Sequence, residues 1–219
     1  MTVLLLGFEP YGGRSSNPAE AIARTLDGET IGGLVVRGRV VPVRHEGLAA
    51  ELARLFAEVR PQIVIGLGLW PGSAIVRIER IAVNIADFEI ADNAGERICG
   101  EVEAGGPTAL AATLPIRGIR ARLLEAGIPS ALSNGAGTFL CNALMYRTLR
   151  LAAEAEPRPS CGFLHLPHSH ADLAAMMEEQ ARSGRPGAGR LSETPSMELA
   201  AMVHAVRLAI ETAASEGQA

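Results

Sequence analysis

Lysine is missing altogether: all twenty basic residues of this 219-residue chain are arginine. That absence excludes Schiff-base chemistry on a lysine, a Ser-Lys dyad and a phosphate-loop lysine. Aromatic residues are scarce, at 4%, so Ala, Val, Leu and Ile must fill the interior. There are only three cysteines, Cys99, Cys141 and Cys161. Their odd number and wide spacing make neither a disulfide framework nor a paired metal motif, and a reducing compartment suits them. Long hydrophobic runs are lacking too, and no stretch approaches the length of a membrane span. Residues 1–7 carry no basic region and too short an apolar run for a signal peptide. A cytoplasmic protein without a membrane partner is expected. A net charge of −4 gives no reason to expect nucleic acid.

What is present describes a globular chain with a real core: 48% hydrophobic and 20% charged residues. Residues 3–6 read as a buried strand that ends in a glycine-rich loop. Asn17-Pro18 opens a helix through Leu26, with proline in the first turn. Leu34–Val41 reads as a strand. Leu48, Leu52, Leu55, Phe56 and Val59 share one face of a helix. Further strands are expected at 63–67, 75–85, 130–133 and 161–166. Helices are expected at 116–126 and 140–155, and from Thr194-Pro195-Ser196 onward. Residues 183–189 read as an exposed loop and 215–219 as a frayed end. Neither a repeat nor a linker divides the chain, so residues 1–219 read as one domain. Strands alternate with helices, and several strands are apolar throughout. The pattern predicts an α/β fold with a mainly parallel or mixed twisted sheet covered by helices on both faces.

Reactive groups in such folds gather at the carboxyl ends of strands. Cys141 stands where a glycine-rich turn, Ser133-Asn134-Gly135-Ala136-Gly137, delivers the chain to the start of a helix. Free N–H groups there favour thiolate over thiol and can receive an oxyanion. The plainer reading is a small buried hydrophobe. A cysteine hydrolase also needs a base and a group to orient it. His165, at the end of an apolar strand, is the candidate base; a structural histidine is the alternative. Glu79, beside Arg80 in an otherwise apolar strand, is the candidate orienter, against a plain salt-bridged position. Cys161, His165, His168 and His170 fall within ten residues, but at no common zinc spacing. A solvated Pro-His-Ser-His turn is the simpler expectation for 167–170.

These residues together resemble the pyroglutamyl peptidases of the pyrrolidone-carboxylate peptidase type. The resemblance runs through Gly7-Phe8-Glu9-Pro10-Tyr11-Gly12-Gly13 with Asn17-Pro18, and through Glu79-Arg80-Ile81-Ala82-Val83-Asn84. It continues in Asp92-Asn93, in the turn leading to Cys141-Asn142 with Tyr146, and in Phe163-Leu164-His165-Leu166-Pro167. It implies a three-layer α/β/α sandwich and a triad of Cys141, His165 and Glu79. It also implies a pocket for the pyroglutamyl ring lined by Phe8, Tyr11, Phe139 and Leu140, with Asn17 in support. The implied activity is hydrolysis of the amide after an N-terminal pyroglutamyl residue through a thioester. No metal or organic cofactor is required, and the implied assembly is a homotetramer or dimer in the cytoplasm.

Two stretches depart from the family pattern. Glu89-Ile90-Ala91 stands where the family usually has Arg-Ile-Pro, and Trp70-Pro71-Gly72-Ser73 where it tends to have a Gly-Gly-Arg run. If Glu89 faces the cleft, it raises the cysteine pKa and repels an oxyanion. The alternative function is then a family member with altered specificity or lost activity, binding a lactam or acyl amide.

Overall fold

The computed structural model describes residues 1–183 and 191–216. The expected loop at 183–189 lies almost wholly outside the described residues, as do 217–219 of the expected frayed end. The chain opens with β1 (Thr2–Phe8), α1 (Pro18–Leu26), β2 (Thr30–Ile31), β3 (Leu34–Val41), α2 (Leu48–Val59) and β4 (Ile63–Leu69). Short strands follow: β5 (Val76–Glu79), β6 (Ile81–Val83), β7 (Ala86–Asp87), β8 (Cys99–Gly100) and β9 (Ala109–Ala111). The second half holds α3 (Ile116–Glu125), β10 (Ser130–Ser133), α4 (Leu140–Glu154), β11 (Ser160–Leu166), β12 (His168–Ser169), α5 (His170–Ser183), β13 (Ser196–Met197) and α6 (Leu199–Glu216).

Seven strands form the central sheet in the order β10-β5-β11-β4-β1-β3-β2. β1 and β4 are buried from Val3 to Phe8 and along the whole of Ile63–Leu69. Their continuous apolar sequences follow from having both faces covered. The apolar material divides into two clusters. One holds Val3, Leu5, Ile22, Ile119, Met202 and Val206 on the α1, α3 and α6 side. The other holds Leu4, Leu6, Leu52, Leu144 and Phe163 on the α2 and α4 side. The fold is the three-layer α/β/α sandwich.

The sheet is mixed. β11, β4, β1 and β3 run parallel, whereas β5 is antiparallel to β11 and β10 is parallel to β5. The cysteine turn therefore leaves a strand directed against the one that carries His165. It still reaches the site because Ser133 pairs with Glu79, and Glu79 lies opposite Phe163 in β11.

Several local expectations are corrected. The strand expected at 75–85 is broken at Arg80, whose N–H donates to Ser133 O while β6 turns away to pair with β9. The last helix begins at Leu199, not at Thr194, because Ser196 and Met197 pair with β12 first. The turn at 167–170 is not solvated: His168 and Ser169 are buried. Helix α5 had no counterpart in the sequence reading, and among its described residues only Asp172 is buried. A helix with so little apolar face leaves no periodic signal. Among the described residues no helix is long and apolar enough to cross a membrane.

Candidate active site

His165 occupies the sheet position between Gly68 of β4 and Arg77 of β5. Side chains at paired positions share one face, as does Glu79, two residues along from Arg77. The result is a hydrogen bond of 2.9 Å between His165 Nδ1 and Glu79 Oε1. Both side chains are sealed from solvent, at 1% and 0% exposure. Burial pushes the Glu79 carboxyl up, but its interactions with His165 first, and then with Ser133 and Arg77, outweigh it and hold the group below its ordinary value. Burial likewise pushes His165 below its ordinary value, only partly opposed by Glu79, so the imidazole is neutral at pH 7. With Nδ1 held by a carboxylate, Nε2 is the nitrogen left to exchange a proton.

Cys141 sits in the first turn of α4. Phe139, extended at φ −90°, precedes that helix and gives its N–H groups no side-chain cap. Its Sγ lies against the other neighbour of His165: a Cβ built on Gly68 would be 2.8 Å from the sulfur and 2.9 Å from the Phe163 ring. Only a glycine leaves room for the thiol there. The sulfur thus sits over the residue of β4 that pairs with His165, on the same face of the sheet as the imidazole. The expected thiolate is not favoured. Burial first, and then the Glu79 charge, push the Cys141 thiol up to about 12. A helix N-terminus cannot offset both desolvation and a nearby carboxylate.

The four pocket candidates gather in the same apolar cluster as Cys141. Phe8 and Leu140 are buried. Tyr11 and Phe139 are half-buried, with ring centroids 6.0 Å apart, and Phe88 meets Phe139 edge-on at 4.6 Å. Phe88 escaped the sequence reading, since nothing in 86–89 signals its contact with a loop fifty residues away. Asn17 points elsewhere. Its Oδ1 accepts the Ala19 N–H at 3.0 Å and its Nδ2 donates to Glu9 O at 3.0 Å. It caps α1 and anchors the glycine-rich loop. Asn93 ties the same loop from the other side, donating to Glu9 Oε1 at 2.8 Å and Pro10 O at 2.9 Å. A surface cleft of about 620 Å³ beyond these ties is lined by Glu9, Pro42, Arg44, Glu46 and Asn93, and none of the candidate site residues reaches it. Among the described residues no three His, Cys, Asp or Glu side chains come together as a metal site.

A family model described as pyroglutamyl peptidase matches residues 1–216. The chain belongs to the pyroglutamyl peptidase family. It is 41% identical over 217 residues to the pyrrolidone-carboxylate peptidase of Pyrococcus furiosus, covering 99% of both chains. It is 40% identical over 210 residues to that of Thermococcus litoralis, covering 95% of this chain and 91% of the relative. A mutant pyrrolidone carboxyl peptidase from P. furiosus has a similar structure, with a TM-score of 0.89 at 40% identity over 99% of both chains. So does the T. litoralis enzyme, with a TM-score of 0.89 at 38% identity over 99% of this chain and 94% of that one.

Within this pyroglutamyl peptidase, the two sequence departures have different standings. Glu89 is exposed, and the carboxylate that acts on the thiol is Glu79. Trp70 stands at the site itself. Its ring meets His165 edge-on, at 4.8 Å and 72°, and carries the Arg77 guanidinium 4.0 Å from its centroid. It also faces Gly137 of the cysteine turn, where an added Cβ would be 3.6 Å from the indole.

Proposed function

We propose that this cysteine hydrolase removes N-terminal pyroglutamate from peptides, with Cys141 as nucleophile, His165 as general base and acid, and Glu79 as the group that orients His165. The observation that carries the assignment is the buried 2.9 Å Glu79–His165 bond with Cys141 Sγ packed on Gly68, the strand partner of His165. Membership of the family supports the substrate class.

Burial and the Glu79 charge favour the thiol at rest, so attack and proton transfer proceed together. Sγ bonds to the carbonyl carbon that joins pyroglutamate to the next residue, while the thiol proton passes to His165 Nε2. Glu79 stabilises the imidazolium that forms. Backbone N–H groups of the first turn of α4 hold the tetrahedral oxyanion. The imidazolium then protonates the leaving amine, the C–N bond breaks and a thioester remains. Water, giving its proton to Nε2, releases pyroglutamate and restores the thiol. Phe8, Tyr11, Phe139 and Leu140 enclose the ring methylenes, and Asn17 keeps the Gly7–Gly13 loop in place. A pocket that pairs with the lactam edge rejects proline, which lacks the ring carbonyl.

The deciding assay is release of a fluorescent amine from its pyroglutamyl amide. Wild-type protein releases it, and Cys141→Ser lowers kcat/KM by at least about 10⁴-fold. Folded wild-type protein that releases nothing defeats the reading. We also place the protein in the cytoplasm, where an exposed free thiol such as Cys99 stays reduced. It acts there as a homotetramer or dimer, which sedimentation equilibrium measures directly.

A further inference from the structure

Glu79 presents an electrostatic problem. Its Oε1 receives both His165 Nδ1 and, at 3.3 Å, Arg77 Nε, while its Oε2 is buried without a partner. A sealed carboxylate in that condition either has a cation beside it or takes up a proton. Of the two groups on Oε1 only Arg77 carries a permanent charge, since burial disfavours the charged form of His165. Among the described residues Arg77 is the one arginine within ion-pair reach of Glu79. It stands directly across from His165 in the β5–β11 register.

Arg77 is itself fixed. One Nη donates to Ser133 Oγ at 2.7 Å, and its flat face rests on the only tryptophan in the chain. A planar guanidinium is suited to stack on one face and bond from its edge. The same indole meets the His165 ring and the cysteine turn.

We propose that Arg77 and Trp70 are positioning residues for the relay. Arg77 balances the charge of Glu79, so that an ionised carboxylate and a neutral imidazole coexist out of water, and Trp70 fixes the guanidinium and the imidazole relative to each other. The inference rests on the Cys141–His165–Glu79 reading above. The titratable and charged groups facing the pair are Arg77 from β5 and Cys141 from α4; Trp70 and Phe163 add uncharged rings. Removing Arg77 takes positive charge from both members at once. Each then holds a proton to higher pH, and an imidazolium cannot accept the proton of the thiol.

The test is kcat/KM against pH for wild type, Arg77→Met and Arg77→Lys with the fluorogenic amide. In Arg77→Met the acid limb moves up by about one unit. Activity on that limb falls about tenfold, with a much smaller loss on the plateau. Arg77→Lys, which keeps the charge, restores the limb. A profile for Arg77→Met that drops equally at every pH, or does not change, overturns the inference while an active wild type leaves the main reading intact. Wild type that releases no amine defeats the main reading instead. Should Arg77→Met fail to fold, NMR titration of His165 in wild type decides: a midpoint below 6.5 is required, and one at or above 6.5 overturns the charge-balance argument.

Discussion

Burial first, and then the Glu79 charge, push the Cys141 thiol up to about 12, so the thiol form predominates at pH 7. A ready-made thiolate–imidazolium pair is then not expected in the free protein, and in the proposed mechanism the nucleophile forms as His165 accepts the proton. Alkylation of Cys141 by iodoacetamide, followed by mass spectrometry of its peptide, therefore rises about tenfold per pH unit from 7 to 9 without levelling. A plateau already reached near pH 7 would show a preformed thiolate and contradict the burial argument. The residue types at this site were legible in the sequence: a cysteine after a glycine-rich turn, a histidine closing an apolar strand and a glutamate inside one. The state of the thiol was not. Its pKa depends on the density of the core around it and on a carboxylate sixty-two positions away, and neither is written in residues 133–146. Trp70 was visible only as a departure from a pattern, and its contact with His165 exists only once β4 and β11 pair.

Helix α4 brings Cys141 to the site, and Asn142 holds the start of that helix. The Asn142 amide is fully buried. Its Oδ1 accepts the Val83 N–H at 2.9 Å, and its Nδ2 donates to Val83 O and Ile85 O, each at 2.9 Å. Three bonds from one side chain join the first turn of α4 to the end of β6 and the segment after it. Asn142→Ala removes them and leaves backbone groups unpaired in the core, at a cost of about 3 kcal/mol. For a chain of this size that lowers the thermal midpoint by roughly 10 °C, which calorimetry measures; a shift under about 2 °C would mean that these bonds are replaced. Element bounds set by local chemistry were readable. Asn17 with Pro18 fixed the start of α1, and the apolar face of α2 fixed its whole span. Bounds set by pairing were not, as the break at Arg80 and the late start of α6 show.

Across the whole molecule, buried and half-buried titratable groups define a pH window of stability. His45, His165 and His168 are all held below their ordinary values, burial being the first cause in each. The unfolded chain binds protons below about pH 6.5 that the folded chain refuses, so stability falls as pH drops through that range. Tyr11, Cys141 and Cys161 are each pushed up to about 12, chiefly by burial. Above about pH 8.5 the unfolded chain gives up protons that the folded chain keeps, and stability falls again as pH rises. Urea midpoints measured from pH 5 to 10 are expected to peak between about 6.5 and 8.5; a midpoint that stays level from 5 to 7 would show that the histidines titrate normally in the fold.

Composition and periodicity were enough to predict an α/β fold with helices on both faces of its sheet and the order of its main elements, because burial and backbone propensity act over a few neighbours at a time. They made Cys141, His165 and Glu79 candidates, and the resemblance to a known family joined the three. Strand direction at β5 and β10, the glycine that seats the sulfur, the charge state of the thiol and the Arg77–Trp70 support came from packing. These depend on groups far apart in the chain meeting in a medium that excludes water, where a single partner decides whether a charge is tolerated.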